Sequence, residues 1–271
     1  MDTQVAPPPQ LTSRRYGAVN WLGLKTLTER EIKRFLKVGM QTVFAPLVQT
    51  LLFMMVFGLV LRGGPWPGTE RAYADGLAAG LVMMSILSNA FQNASSSIVI
   101  AKVQGNSVDF LMPPLSAFEL TVAFIVGAAA RGILVGAASL LAVSWLANIT
   151  PAEPLAALYY GVVASIMFGA VGLIGGIWAD KFDHIAAVTN FIVVPLTFLS
   201  GTFYSTDILP EPFRTLSHYN PVFFLIDGFR YGFIGSHDAP LVTGALISLA
   251  ITIALCWACW ALLKSGYRLR S

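Results

Sequence analysis

Charge is what this sequence has least of. Its 271 residues include 17 Lys and Arg and 14 Asp and Glu, only 11% of the chain, where a soluble domain carries about 25%. Hydrophobic residues make up 56%, and mean hydropathy is +0.70. So few charges cannot cover a globular surface, which excludes an ordinary soluble enzyme and a disordered chain. A net charge of +3 is too small to argue for a nucleic-acid partner.

Reactive chemistry is equally scarce. There are two cysteines, too few for a disulfide framework. Cys256 and Cys259 read as C-x-x-C but stand in an apolar run, which predicts two small packed side chains. No G-x-x-x-x-G-K-[ST] phosphate loop and no H-E-x-x-H zinc motif occurs. His184, His218 and His237 are too scattered for a metal site, and Ser200-Gly201 lacks the first glycine of a nucleophile elbow. The expectation is therefore no catalytic residue, no metal and no cofactor in this chain. Residues 1–15, with Pro7-Pro8-Pro9 and no basic-then-apolar pattern, read as a disordered cytosolic lead rather than a secretory signal.

What is present is a series of long uncharged runs. Lys37 to Arg62 encloses 24 residues, Asp75 to Lys102 encloses 26, Glu153 to Asp180 encloses 26, Asp183 to Asp207 encloses 23, and Asp238 to Lys264 encloses 25. Between Glu119 and Glu153 lie 33 residues interrupted by Arg131 alone. About 20 apolar residues cross a bilayer core as a helix, and nothing here alternates as barrel strands do. The chain is read as an all-α membrane protein with six transmembrane helices within residues 39–265. Gly132 with Gly136, and Gly172 with Gly176, have the G-x-x-x-G spacing that lets helices approach closely.

Lys and Arg set the orientation. Twelve fall on one side, in the segment before the first span, in the second-to-third and fourth-to-fifth connections and in the tail at 266–271 with the adjoining Lys264; four fall on the other side. Both termini are expected in the cytosol of an inner-membrane, multi-pass protein. Arg131, inside a span, is a functional candidate by position, as a path or dimer contact. The competing reading is a guanidinium that snorkels to the interface.

Four segments outside the spans are informative. Residues 16–38 carry Trp21, Leu24, Leu27, Ile32, Phe35 and Leu36 at near-helical spacing among basic residues, predicting an interfacial amphipathic helix. In the connection 102–117, Ser107 caps a short helix holding Asp109, Phe110 and Leu111, stopped by Pro113-Pro114. Its apolar side chains need covering, by the protein's own helix ends or by a soluble partner. Residues 179–184 form a tight return. In the outer segment 202–238, Pro210 and Pro212 precede one short helix, and Asn220 caps a second with Pro221 at its first position. Arg214 to Asp227 encloses 12 residues, too few to cross, so the segment dips in and returns as a re-entrant outer helical hairpin between spans five and six. Asp227 and Arg230, three apart, are placed to pair on one helix face.

These pieces in this order resemble the membrane subunit of type-2 ABC exporters, a family that includes drug, polysaccharide and nodulation-factor exporters. The most specific stretches are Phe198–Tyr204, Leu209-Pro210, Asn220-Pro221, Asp227 and Arg230, with Ala129–Gly132 also similar. Ser205 departs from the pattern, since many members have proline there. The resemblance implies a dimer, with an identical or closely related permease, above two copies of a separate ABC ATPase that binds ATP and Mg. It implies that residues 16–38 are a connecting helix, that Ser107, Asp109, Phe110 and Leu111 couple to the ATPase, and that Phe203, Tyr204, Asn220, Pro221, Asp227 and Arg230 belong to an outer gate. An ion-coupled secondary transporter is the alternative, against which stand the absence of carboxylate chains in the spans and of a visible inverted repeat.

Overall fold

The computed structural model describes residue 17 and residues 19–60, 64–106, 112–147 and 149–268. Among the described residues regular structure is helical, apart from one isolated antiparallel bridge between Pro65 and Ala72. Helix α1 (Trp21–Lys37) leads through a π-turn at Met40–Phe44 into α2 (Ala45–Val60). Three long helices follow: α3 (Tyr73–Val103), α4 (Ala117–Val143) and α5 (Pro154–Trp178). The next rod is broken into α6 (Phe182–Val188), a π-turn at Thr189–Val193 and α7 (Val194–Leu199). Two short helices, α8 (Glu211–Tyr219) and α9 (Pro221–Ile234), precede α10 (Leu241–Ser265).

Among the described residues, six segments are long and apolar enough to cross a membrane: Met40–Val60, Tyr73–Val103, Ala117–Val143, Pro154–Trp178, Phe182–Leu199 and Leu241–Ser265. They coincide with the five uncharged runs and the sixth that only Arg131 interrupts, because a helix that cannot solvate charge must begin and end near one.

Helix α3 is the axis. Its 31 residues make a rod of about 46 Å, it packs chiefly on α5 and α4, and it is buried along nearly its whole length. The two G-x-x-x-G pairs both serve this contact. A Cβ on Gly172 would lie 2.3 Å from the Phe91 carbonyl oxygen, and one on Gly136 would lie 2.4 Å from Ile86 Cγ1. Only glycine lets α5 and α4 come so close to α3. Helix α10 closes the other side of α5, where the Tyr159 and Tyr160 hydroxyls donate to the carbonyls of Ala245 and Leu241, each at 2.9 Å. Cys259 is buried there against the Ala170 carbonyl, 3.3 Å away, and both cysteines are free thiols.

The first and fifth spans are the least covered by the rest of the chain. They share a local irregularity. Each has a π-turn ending two residues before a proline, Pro46 in one and Pro195 in the other. Proline brings no N–H to the helical ladder, and a wider turn beside it shifts the register of that ladder.

One end of the bundle is tied by cations on carbonyls. The last turn of α5 leaves carbonyl oxygens without helical partners. Lys102 Nζ donates to those of Ile177 and Ala179, and Arg268 donates to that of Trp178 at 2.7 Å. Asp180 lies 3.8 Å from Lys102 and 3.4 Å from Arg268. The ends of α3, α5 and α10 therefore meet on one side.

Helix α1 runs beside the first half of α4, with Leu27, Glu31 and Phe35 turned inward. Lys25 and Lys33 flank Glu29 on the outer face, where the hydrogen bond from Lys33 holds the Glu29 carboxyl below its usual range. The apolar stripe read from the sequence is only half used: Leu27 and Phe35 are buried, but Trp21 and Leu36 are exposed.

Candidate functional site

The segment between the fifth and sixth spans is a closed lattice of hydrogen bonds. Asn220 caps α9 by accepting the Val222 N–H at 3.0 Å. Its Nδ2 donates to the Leu196 carbonyl at 2.8 Å and to Ser200 Oγ at 2.7 Å. Ser217 of α8 donates to the Leu199 carbonyl at 2.9 Å. Both short helices thus donate to carbonyls at the end of α7, where the Leu196 carbonyl also accepts from Ser200 Oγ at 2.6 Å. Pro221 occupies the first position of α9, where its missing N–H costs nothing.

Arg230 is 1% exposed and holds α9 to the N-terminal end of α3. Its Nε lies 3.4 Å from the Gly76 carbonyl, its Nη2 donates to the Gly201 carbonyl, and its guanidinium lies over the Trp66 ring, 4.3 Å from the centroid. Trp66 fits because Gly76 has no side chain; a Cβ there would lie 2.3 Å from the indole. Asp227 does not pair with Arg230, contrary to the expectation from their spacing. It accepts the backbone N–H groups of Asp238, at 2.8 Å, and Ala239, at 3.1 Å. Backbone donors surround the carboxylate and backbone acceptors surround the guanidinium, so each charge is satisfied separately.

Asp238 extends the lattice through one oxygen that accepts from Ser205 Oγ at 2.9 Å, the Thr206 N–H at 2.8 Å and Thr206 Oγ1 at 2.9 Å. Ser205, the departure from the family pattern, keeps the turn by accepting the Asp207 N–H at 3.3 Å. The Phe203 carbonyl accepts from the Tyr73 hydroxyl, and its ring packs on Phe57 and Phe198 at 4.6 and 4.9 Å. The Tyr204 hydroxyl donates to the Phe198 carbonyl at 3.2 Å.

A second polar network joins α1 to the bundle. Glu119 of α4 accepts the N–H groups of Asn20, at 2.5 Å, and Ser116, at 2.6 Å, while Asn20 Nδ2 donates to the Pro114 carbonyl at 3.2 Å. Further along α1, Glu31 is fully buried. It accepts from Arg34 Nη2 at 3.1 Å and from Ser97 of α3 at 2.9 Å. Arg34 also donates to the Asn93 carbonyl at 2.7 Å and to Ser96 at 3.2 Å. Gly127 makes room for this contact, since a Cβ there would lie 2.6 Å from Glu31 Cβ. Arg131 of α4 donates to Asn89 Oδ1 at 3.2 Å.

A helical, sparsely charged chain with this lattice has recognisable relatives. Residues 23–234 match the ABC-2 type transporter family. The chain belongs to that family. It is 35% identical over 254 residues to the inner membrane transport permease YadH of Escherichia coli K12, covering 93% of this chain and 98% of that protein. It is 24% identical over 239 residues to nodulation protein J of Bradyrhizobium diazoefficiens, covering 86% and 89%. Nodulation protein J of Rhizobium leguminosarum bv. viciae is similar too, at 24% over 228 residues, 81% and 84% covered. ABC-2 membership makes the chain a membrane transport component.

The structure brings Phe203, Tyr204, Asn220, Pro221, Asp227 and Arg230 into one region, with Arg131 well apart from it. Ser107, Asp109, Phe110 and Leu111 lie outside the described residues, as does the lead at 1–15. Sequence reasoning missed Glu31, Arg34, Asn93 and Trp66. A signal for part of this set exists: Ser85, Asn89, Gln92, Asn93 and Ser96 recur at helical spacing within a span. Counting charges alone passes over it.

Proposed function

We propose that this chain is the permease subunit of an ATP-driven exporter in the inner membrane. Two permeases side by side form the path, and two separate ATPase subunits supply the energy. The observation that carries the reading is that one rod, α3, is held at both ends by the elements the mechanism needs. Near its inner end, Ser97, Asn93 and Ser96 hold α1, and α1 is bolted through Asn20 to residues 114–119, just after the coupling segment. At its outer end, Gly76 is held by Arg230 of α9. Movement imposed on Ser107, Asp109, Phe110 and Leu111 by an ATPase passes through α1 and α3 to the outer helix pair, which parts to release substrate.

In this reading α1 lies in the cytosolic interface, both termini are cytosolic, and α8 with α9 dips into the outer leaflet. A second permease covers the sparsely packed first and fifth spans, whose Met40, Phe44, Leu52, Phe191 and Ile192 are all exposed. ATP and Mg bind to the partner and not to this chain, in keeping with a sequence that has no phosphate loop.

The test is a single substitution in the coupling segment. Phe110→Asp should leave the chain in the membrane while abolishing the ATPase activity that co-purifies with it. Undiminished co-purifying ATPase, or none with the wild type, overturns the assignment.

A further inference from the structure

Arg131 does not snorkel. Gly132 of α4 packs against Ile86 and Ala90 of α3, with Cβ-position distances of 3.0 and 3.1 Å, so Arg131 and Asn89 stand at the same depth. The guanidinium reaches across to Asn89 and not along the helix towards the end of the bundle. A guanidinium has five N–H donors, and among the described residues this one has a single acceptor. Its Nε is buried without a partner.

Its neighbours offer no acceptor to complete it. Glu31, which packs against Gly127 one turn before Arg131, pairs with Arg34 and accepts from Ser97 and makes no hydrogen bond or ion pair with Arg131. Arg34 in turn neutralises Glu31 and leaves Arg131 uncompensated. Asn93, fully buried, has its Oδ1 taken by Arg34 at 3.1 Å while its Nδ2 has no partner. That Nδ2 faces α4, 3.7 Å from where a Cβ on Gly127 would be. The unused capacity here is entirely donor, around a positive charge in a span, and buried charges are costly unless paired. Asn89 also lines a small cleft of about 50 Å³ between α2 and α3, where Gln49, Thr50, Ser85, Ser88 and Gln92 stand among Pro46, Phe53, Leu81 and Met84. Polar and ionisable side chains inside a span mark substrate pathways.

We propose that Arg131, with Asn93 beside it, is an oxyanion-binding site in the substrate path, so that the exported molecule carries an acidic group such as a phosphate, carboxylate or sulfate. The acidic group supplies the acceptors that Arg131 and Asn93 lack, and Asn89 holds the guanidinium in place. This rests on the permease reading, but binding needs neither ATPase nor ATP, so the two stand or fall separately.

The experiment uses the full chain in neutral nanodiscs, with decyl phosphate as probe and decyltrimethylammonium as a control of opposite charge and equal tail. Binding is followed by the rise in melting temperature, which reports ligand bound to the folded state. Decyl phosphate should raise the melting temperature of the wild type, and the ammonium should not. Arg131→Gln should weaken apparent affinity roughly tenfold or more, the factor carried by a charged hydrogen bond, and Arg131→Lys should recover part of it. Should Arg131→Gln fail to fold, Asn93→Leu tests the same site with the charge retained and should also weaken binding. Equal stabilisation by both probes, or affinity unchanged in Arg131→Gln and Asn93→Leu, overturns the proposal. So does phosphatidylglycerol in the nanodiscs blocking decyl phosphate through Arg131, which would assign the site to a lipid headgroup.

Discussion

Arg230 lies over Trp66, its Cζ 4.3 Å from the ring centroid, and the pair locks α9 to the N-terminal end of α3. The indole takes one face of the guanidinium while the Gly76 and Gly201 carbonyls take its edge. Arg230→Ala takes its donor from the buried Gly201 carbonyl, at about 1–3 kcal/mol, and empties the space over Trp66, so it should lower the melting temperature of the purified chain. Arg230→Lys should recover little, because an ammonium cannot serve two carbonyls and stack at once. A double-mutant cycle of Arg230→Lys with Trp66→Leu should show a coupling of about 1–2 kcal/mol; strict additivity would remove the pair from the account.

Asn220 acts through both ends of its amide. Asn220→Ala loses a cap worth about 1–2 kcal/mol and also the donor to Leu196 and Ser200. Asn220→Asp keeps the cap acceptor but turns an oxygen towards the Leu196 carbonyl. Thermal unfolding should find Asn220→Asp no better than Asn220→Ala, whereas a residue that only capped the helix would accept Asp without loss.

Two glycines one turn apart should behave oppositely. Gly172→Ala drives a methyl into the Phe91 carbonyl at 2.3 Å, and that backbone cannot step aside cheaply; overpacking of this kind costs about 1–3 kcal/mol. Gly175 has nothing nearer than 3.8 Å, so Gly175→Ala should be neutral or gain up to about 1 kcal/mol of helix propensity. Expression level and melting temperature of the two variants check the contrast.

The Glu31–Arg34 pair makes a prediction of unusual sign. Glu31→Leu leaves Arg34 partly buried without its carboxylate, while Glu31→Leu with Arg34→Met removes both charges. Breaking a buried pair is costly and replacing it whole often is not. The double variant should therefore melt higher than the single one. Hydrogen exchange in α1 should be faster in the single variant, since Arg34 is part of what pins α1 to Asn93 and Ser96. Equal melting temperatures for the two variants would mean that the pair contributes nothing to holding α1.

Much of the fold is legible because hydrocarbon imposes simple rules. Five uncharged runs and a sixth that only Arg131 interrupts become six helices, the Asn220-Pro221 start of α9 is where capping chemistry puts it, and Gly172 and Gly176 meet another helix as their spacing suggests. The sites are less legible. Asp227 and Arg230 share a helix face, but each finds backbone partners brought from distant turns, which sequence spacing cannot show. Glu31 reads as one more charge on a solvated face until Gly127 and Ser97 are seen to enclose it. Arg131 is conspicuous by its position in a span, but its depth emerges only from the packing of Gly132 on Ile86 and Ala90.

The most direct test of the account is the mass of the assembly extracted intact from its native membrane, read by native mass spectrometry with the chain tagged. The account predicts two copies of this permease, or one with a related permease, bound to two copies of an ATP-hydrolysing subunit, and loss of the ATPase mass alone in Phe110→Asp. A chain that is extracted without any nucleotide-binding subunit, and whose transport runs on an ion gradient, would contradict it.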